Sequence, residues 1–246
     1  MNYFTWDTFN NDITALTTTK HFGNMAYQIK DEKELIKLRR NKLAQDLKLN
    51  PDHVIFTYQN HSDNIEEVTI KDIKKGMDDF ESGVPADALY TTDSSLAIGV
   101  FHADCAPIFV YAPKAHLVAI IHASFKSTLK HITFKTISLL KNKYHLNGED
   151  IFVNIGPYQH FIDLHVNEDD VKAIVEAKLE KALRLFNEDR LFDIAFANII
   201  DLRNNDVPLK NIEVSSINTV DNNLCFSAHS KNKNNGRMVS VITLNK

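Results

Sequence analysis

Three apolar runs follow one another closely between residues 96 and 123, and they constrain the fold more than any other part of the chain. The runs are LAIGVF (96–101), APIFVYA (106–112) and HLVAIIHA (116–123). Short apolar runs rich in β-branched and aromatic residues and bounded by turn residues predict buried strands. The segment Ala-Pro-Lys-Ala (112–115) predicts a hairpin turn between the last two of them.

The remaining pattern mixes helices and strands without strict alternation. Helical spacing of apolar residues predicts helices over 31–48, 127–143 and 168–187, and further strands are predicted at 53–58, 151–155, 212–217, 224–228 and 237–244. Such a mixture favours an α+β fold, with mixed sheets flanked by helices, over a doubly wound sheet. Because there is no internal repeat and no linker rich in proline and serine, we expect one domain covering residues 1–246.

Composition excludes several classes of protein. The net charge of −4 and the pI near 6.2 argue against a nucleic-acid partner. No apolar run approaches the roughly 20 residues that a membrane helix needs, so no membrane partner is expected. Two cysteines do not make a disulfide framework, and the first residues lack the pattern of a signal peptide. We therefore expect a cytoplasmic protein, whose oligomeric state the sequence leaves open.

Three side chains with metal-binding or nucleophilic chemistry follow predicted strands. His61 lies in a polar turn after 53–58, Cys105 lies between two apolar runs, and His122 ends the third. Two imidazoles and a thiolate suit zinc with one open coordination position. The same residues also fit a Cys105 nucleophile with His122 as its base, or a buried structural cysteine with two surface histidines. Metal content distinguishes the first two alternatives.

Two neighbours of Cys105 are also of interest. Asp104 is expected either to orient a histidine ligand or move a proton, or to form a turn. His102 precedes the Ala-Asp-Cys segment in a strand of period two, and we expect it to be structural.

The segment 86–127 resembles the core of the laccase-domain family, also called the multicopper polyphenol oxidoreductase or YfiH-type family. The resemblance rests on Ala86-Asp87-Ala88, Ala103-Asp104-Cys105-Ala106-Pro107, His122-Ala123, Gln59-Asn60-His61-Ser62, Phe22-Gly23-Asn24-Met25-Ala26 and Ile155-Gly156-Pro157, and on Phe226-Ser227 with Gly236-Arg237-Met238. These segments occur in the family's order and cover nearly the whole chain.

The resemblance implies the family's α+β fold and a zinc-dependent purine nucleoside enzyme. Its substrates would be a purine nucleoside and phosphate, with phosphorolysis of adenosine, inosine or methylthioadenosine, deamination of adenosine, or both. The implied residues are the metal ligands His61, Cys105 and His122, the catalytic residues Cys105, His122 and Asp104, and the substrate contacts Asn24, Gln59, Lys126 and Arg237. Copper is less favoured than zinc, because a multicopper oxidase needs many more clustered ligands.

The chain departs from the family pattern where arginines are usual. The family's Gly-Trp-Arg-Gly is replaced by Ser124–Ser127 with Lys126 at the charged position, the later motif at Cys225–Ser230 lacks both arginines, and Lys20 replaces a third. Lysine lacks the planar fork that holds phosphate at two points. These changes predict a weaker grip on phosphate and a shift toward hydrolysis, altered substrate choice or reduced activity. The alternatives are a non-catalytic member that binds nucleosides or a partner, and a hydrolase that uses Cys105 and His122 on a cell-wall precursor.

Overall fold

Two mixed β-sheets and one antiparallel hairpin carry the chain. The computed structural model describes residues 1–6, 9, 12–229 and 236–245. The strands are β1 Tyr3–Thr5, β2 Ile13–Thr18, β3 Val54–Phe56, β4 Ile65–Glu67, β5 Ala88–Thr91, β6 Ala97–His102, β7 Ala106–Ala112, β8 Leu117–Ala123, β9 Phe152–Ile155, β10 Leu183–Phe186, β11 Asp189–Phe192, β12 Ile212–Val214 and β13 Met238–Leu244. The helices are α1 Lys33–Asp46, α2 Phe125–Leu129, α3 Ile132–Tyr144, α4 Glu168–Glu176 and α5 Ile194–Arg203.

The three apolar runs become the centre of the two sheets. One sheet has the order β1-β2-β13-β6-β3 and the other the order β12-β9-β7-β8-β5-β4, while β10 pairs with β11. The predicted hairpin is confirmed, since β7 and β8 pair antiparallel along their whole length and place Pro107 opposite His122. The α+β expectation is confirmed by this arrangement of mixed sheets and flanking helices.

The central strands β6, β7 and β8 are buried on both faces, which explains their nearly continuous apolar sequence. In β7, Phe109 packs toward β6 and β13 of the other sheet, whereas Ile108 and Val110 pack toward α3 and α5. On the far side of the five-stranded sheet, Leu43 of α1 packs against Phe56. The alternation of side chains along a strand therefore fills two separate layers of core.

Two predicted helices are corrected by the structure. The helix predicted over 127–143 is broken into α2 and α3 at His131, which has a left-handed backbone (φ 58°) and side-chain bonds to Asp201 and the Ala177 carbonyl. The helix predicted over 168–187 ends at Glu176, and the remainder enters the β10–β11 hairpin.

The helix predicted over 168–187 is interrupted because the backbone turns at two places. Lys178 is left-handed (φ 57°), and Asn187 and Glu188 both have positive φ in the two-residue turn of the hairpin. Leu179 and Ala182 are buried at helical spacing although they do not belong to a long helix. Apolar spacing thus predicted the burial of Leu179 and Ala182 but not the local structure, and Val175 and Phe186 of the same predicted stripe are exposed.

The C-terminal segment also differs from the prediction. Residues 224–228 form turns and loop rather than a strand, with Cys225 and Phe226 packed beside Phe4 and Met238. Helix α5 was not predicted. Among the described residues, no helix is long and apolar enough to cross a membrane.

Candidate active site

A cavity of about 550 Å³ opens where β6, β7 and β8 meet the loops around them. Its walls include all three predicted metal ligands together with Gln59, Asp104, Lys126 and Arg237. The further lining residues are Gln28, Ile29, Phe80, Phe101, His102, Ala103, Ser124, Phe125, Gln159, Leu164, Ile194, Ala228 and His229. Most of the residues that the sequence selected therefore lie on the wall of one cavity.

His61, Cys105 and His122 lie together in this cavity although they are far apart in sequence. The rings of His61 and His122 are 5.2 Å apart between centroids and nearly perpendicular. Cys105 lies beside the His122 imidazole and helps to raise the pKa of that ring. His122 is fully buried, Cys105 is half-buried and His61 is exposed at the mouth. The three side chains thus differ in exposure, from the buried His122 to the exposed His61.

The chemistry of this donor set fits zinc, although the side chains are not arranged as a finished coordination sphere. In the described parts of the chain, no group of three or more His, Cys, Asp or Glu side chains is already placed to hold a metal ion. Two imidazoles and one thiolate are zinc donors, and three protein ligands leave a position for substrate. His61, Cys105 and His122 are the residues that would hold the ion.

Asp87 binds the side chain of His122 and the backbone of the loop that carries His61, and no site role was predicted for it. Its fully buried carboxylate accepts a 2.8 Å hydrogen bond from Nδ1 of His122. It also accepts the backbone N–H groups of Asn60, His61 and Ser62, at 3.3, 3.2 and 2.7 Å. With Nδ1 engaged, His122 has only Nε2 left for Cys105 or a metal.

The electrostatics of this pair favour a protonated His122 ring and an ionised Asp87 carboxylate. Burial opposes the charged imidazole, but Cys105 and the Asp87 carboxylate outweigh it and raise the pKa of His122 to about 9. Burial likewise opposes the ionised Asp87, but hydrogen bonds from His122 and Ser62 hold its pKa below the usual value. Asp87 therefore remains a carboxylate at neutral pH and fixes the orientation of His122.

His61 is held in an unusual backbone conformation. It adopts a left-handed φ of 62°. The hydrogen bonds that three backbone N–H groups of its loop donate to Asp87 stabilise this conformation. Partial burial and the neighbouring His122 lower its pKa, and the cations Lys126 and Arg237 act in the same direction. A neutral imidazole is the form that binds a metal ion.

The side chains of Gln59 and Asn24 form hydrogen bonds with backbone groups of other segments. The Gln59 carboxamide lines the cavity and bonds both the N–H and the C=O of Phe101, at 2.9 and 2.5 Å. Asn24 is buried outside the described cavity wall, and its Oδ1 accepts the backbone N–H of Arg237 at 2.9 Å. Asn24 therefore does not line the cavity itself, and it contacts the backbone of Arg237, which does.

Asp104 ties the C-terminal segment to the cavity. One carboxylate oxygen accepts the Thr219 hydroxyl at 2.7 Å, and the other accepts the Ala228 N–H at 2.7 Å and His229 Nδ1 at 3.0 Å. Asp104 has a positive φ of 101°, a strained conformation for a residue other than glycine. These bonds hold it in place, and they occupy both oxygens with structural partners.

The cationic part of the wall is formed by Lys126 and Arg237, and His229 also lines the wall. Lys126 is exposed in the first turn of α2, and Arg237 is half-buried at the start of β13. The motif at Cys225–Ser230, which lacks the family's arginines, is described as far as His229, and Ser230 lies outside the described residues. Lys20 lies outside the described cavity wall, in a short 3₁₀ helix bonded to the Leu224 carbonyl.

Comparison with known proteins shows which family this chain belongs to. The family model described as multi-copper polyphenol oxidoreductase laccase matches residues 16–245. The chain belongs to this family. Two solved structures share the fold of this laccase family member at 28% sequence identity. The crystal structure of YlmD from Geobacillus stearothermophilus has a TM-score of 0.91 and covers 98% of this chain and 94% of that one. That of a hypothetical protein YfiH from Bacillus licheniformis has a TM-score of 0.90, with 96% and 94% covered.

Curated relatives in the laccase family carry the name purine nucleoside phosphorylase. YlmD of Geobacillus stearothermophilus is 33% identical over 150 residues, a stretch that covers 57% of this chain and 55% of the relative. YlmD of Bacillus subtilis is 26% identical, with 95% of this chain and 89% of the relative covered. SSP1584 of Staphylococcus saprophyticus is 30% identical, with 89% and 84% covered. A purine nucleoside enzyme is thus the activity that the names of these relatives support.

Proposed function

We propose that this protein is a zinc-dependent purine nucleoside phosphorylase, with deamination of adenosine as a second reaction of the same cavity. The observation that carries the proposal is the convergence of His61, Cys105 and His122 on a cavity that also presents Lys126 and Arg237. A volume of about 550 Å³ lies within the range of small-molecule sites and leaves room for a nucleoside beside phosphate. The names of the relatives support the same substrate class.

In phosphorolysis, an oxygen of phosphate bonds to C1′ of the sugar while the bond from C1′ to the purine nitrogen breaks. The bond electrons leave with the purine, which takes up a proton, and the second product is the sugar 1-phosphate. Lys126 and Arg237 would hold the phosphate by charge, and the aromatic side chains Phe80 and Phe125 offer apolar surface to the base. Bound zinc would supply Lewis-acid polarisation of the substrate or of a water molecule.

The experiment is a steady-state assay of the purified protein with inosine, with and without phosphate, and with adenosine. We expect hypoxanthine to be released only when phosphate is present, and inosine to form from adenosine. Because Lys126 binds phosphate as a point charge, the KM for phosphate should lie at or above about 1 mM, the upper end of the usual range. Purine release that does not depend on phosphate would contradict phosphorolysis.

A second candidate is a cysteine hydrolase, and one specific observation favours it. The Asp87 carboxylate orients the His122 imidazole through a 2.8 Å hydrogen bond, and Cys105 lies beside the same ring and raises its pKa. This is the order of groups in an activated nucleophile. The hydrolase activity of metal-free protein should then be lost when iodoacetamide alkylates Cys105.

The second cysteine is a built-in control for that alkylation. Cys225 is buried, and its burial raises the pKa of its thiol to about 12, so it should not react at neutral pH. One alkylated site per chain therefore reports Cys105. Phosphate-dependent nucleoside cleavage that requires zinc would reject the hydrolase.

A further inference from the structure

His229 lies on the cavity wall with one edge of its ring fixed and the other edge open. Its Nδ1 lies 3.0 Å from a carboxylate oxygen of Asp104, a side chain that is only 5% exposed. The side chain of His229 is itself 60% exposed, and it lines the cavity. Because the Nδ1 edge faces the buried carboxylate, the exposed part of the ring is the opposite edge, which carries Nε2.

Asp104 is a fixed anchor for this ring. Its two oxygens also accept the Thr219 hydroxyl and the Ala228 N–H, so the carboxylate cannot turn away from His229 without losing other bonds. The backbone N–H of His229 donates to the Ser227 hydroxyl at 3.1 Å, which holds the main chain at the same point. A carboxylate that binds Nδ1 of an imidazole orients the ring and leaves Nε2 to give up or accept a proton.

Phosphorolysis requires a proton at the purine. The electron pair of the bond from C1′ to the purine goes to the purine ring when that bond breaks, and a proton placed on N7 neutralises the charge that develops there. A side chain that supplies this proton must be ionisable near neutral pH, must reach the cavity and must not be held by a metal ion.

The other ionisable groups on the described part of the wall do not meet these conditions. The three proposed zinc ligands are committed to the metal. His102 is 1% exposed, and its Nε2 lies 2.8 Å from the Ser240 hydroxyl. Both oxygens of Asp104 accept hydrogen bonds, and Lys126 and Arg237 are the cations assigned to phosphate. Of the wall residues that the structure describes, this leaves His229.

We infer that His229 is the general acid that protonates the purine at N7 during phosphorolysis. The inference rests on the proposed function. As an oxygen of hydrogen phosphate bonds to C1′ and the bond from C1′ to N9 breaks, the proton on Nε2 passes to N7. His229 is left neutral, with its Nδ1 proton still donated to Asp104. The sugar phosphate then releases the hydroxyl proton of hydrogen phosphate to water, and His229 recovers a proton from water.

The nucleoside 7-methylinosine separates proton donation from any other role of His229. Methylation of N7 already gives its purine the positive charge that protonation would supply, so the departure of this purine needs no acid. The variant is His229→Asn, whose carboxamide N–H reaches the position of Nδ1 beside Asp104 but cannot transfer a proton. Steady-state kinetics with inosine and with 7-methylinosine, both with phosphate, should be measured together with thermal unfolding.

His165→Asn is the matched control. The His165 side chain is also 60% exposed, and its Nδ1 lies 3.8 Å from a carboxylate oxygen of Asp189, but it lies outside the described cavity wall. Replacing this histidine should leave kcat for both nucleosides within about twofold of wild type.

The expected result is a loss confined to the substrate that needs the acid. His229→Asn should lower kcat for inosine by about 100-fold, the lower end of the usual contribution of general acid catalysis. The kcat for 7-methylinosine and the KM for phosphate should stay within about threefold of wild type. The unfolding temperature should stay near that of wild type, because the contact with Asp104 is kept.

The other outcomes separate this inference from the function on which it rests. Active wild-type protein with a His229→Asn variant of unchanged kcat for inosine would overturn the role of His229 alone. Equal losses of kcat on the two nucleosides, or a change confined to the KM for phosphate, would also overturn proton donation while the proposed function stands. Wild-type protein that cleaves neither nucleoside in the presence of phosphate would overturn the proposed function and this inference together.

Discussion

Asp87→Ala should lower nucleoside turnover and zinc affinity by about 10- to 100-fold, the range found when a carboxylate that orients a metal ligand is removed. The substitution releases Nδ1 of His122, and it also removes the acceptor for the three backbone N–H groups of the loop that carries His61. Two of the three donors then lose their fixed positions in one step. The measurements are kcat/KM for inosine and zinc affinity by competition with a chromophoric chelator.

Asp201→Ala is the matched control. Asp201 is also a fully buried carboxylate bound to a histidine, with 2.7 Å between Oδ1 and His131 Nδ1, but it lies between helices, outside the described cavity wall. Both variants should lose stability, because each leaves buried donors without an acceptor. Only Asp87→Ala should lose zinc and turnover in the fraction that remains folded. If both variants lose turnover equally, Asp87 contributes only to the stability of the fold and not to the position of the zinc ligands.

Arg40→Met should destabilise the fold by about 3–5 kcal/mol and lower the unfolding temperature by on the order of 10 °C. Arg40 is fully buried on α1, and its guanidinium donates to the carbonyls of Met25, Gly76 and Met77. Its charge also faces the rings of Tyr27, Phe56 and Phe101 at 4.3, 5.0 and 4.6 Å. Methionine fills much of the volume but satisfies none of the carbonyls.

Arg39→Met provides the comparison one residue earlier on the same helix. Arg39 pairs with Asp31 in a partly exposed ion pair and donates to the Asn24 carbonyl. Exposed and partly exposed pairs contribute little, so the loss should stay below about 1 kcal/mol. Urea unfolding followed by circular dichroism measures both variants. If Arg40→Met is no less stable than Arg39→Met, the carbonyl contacts of Arg40 do not stabilise the fold.

The central strands could be predicted from the sequence because burial on both faces makes them nearly continuous apolar runs, with His102 and His122 only near their ends. Residues 106–112 became β7 with the predicted bounds, since Phe109 and Ile108 fill core on opposite sides of one sheet. The helix over 168–187 could not be corrected from spacing alone. Leu179 and Ala182 satisfy a helical period, and only the backbone at Lys178 shows that the chain turns.

Residue type and position after predicted strands singled out His61, Cys105 and His122, and the family resemblance then favoured a shared metal site over the alternatives. His61, Cys105 and His122 are separated by 44 and 17 positions, and their convergence depends on the pairing of β7 with β8 and on the loop after β3. Asp87 was missed as a site residue, although an aspartate between alanines at the start of a buried strand is a recognisable signal.

The most direct test of the account is the zinc content of freshly purified protein, measured by inductively coupled plasma mass spectrometry beside a Cys105→Ala variant. We predict about one zinc per wild-type chain and less than about a tenth of that in the variant, with nucleoside turnover falling in proportion to zinc. Wild-type protein that contains no zinc, cleaves nucleosides at full rate and gains nothing from added zinc would contradict a metal centre at His61, Cys105 and His122.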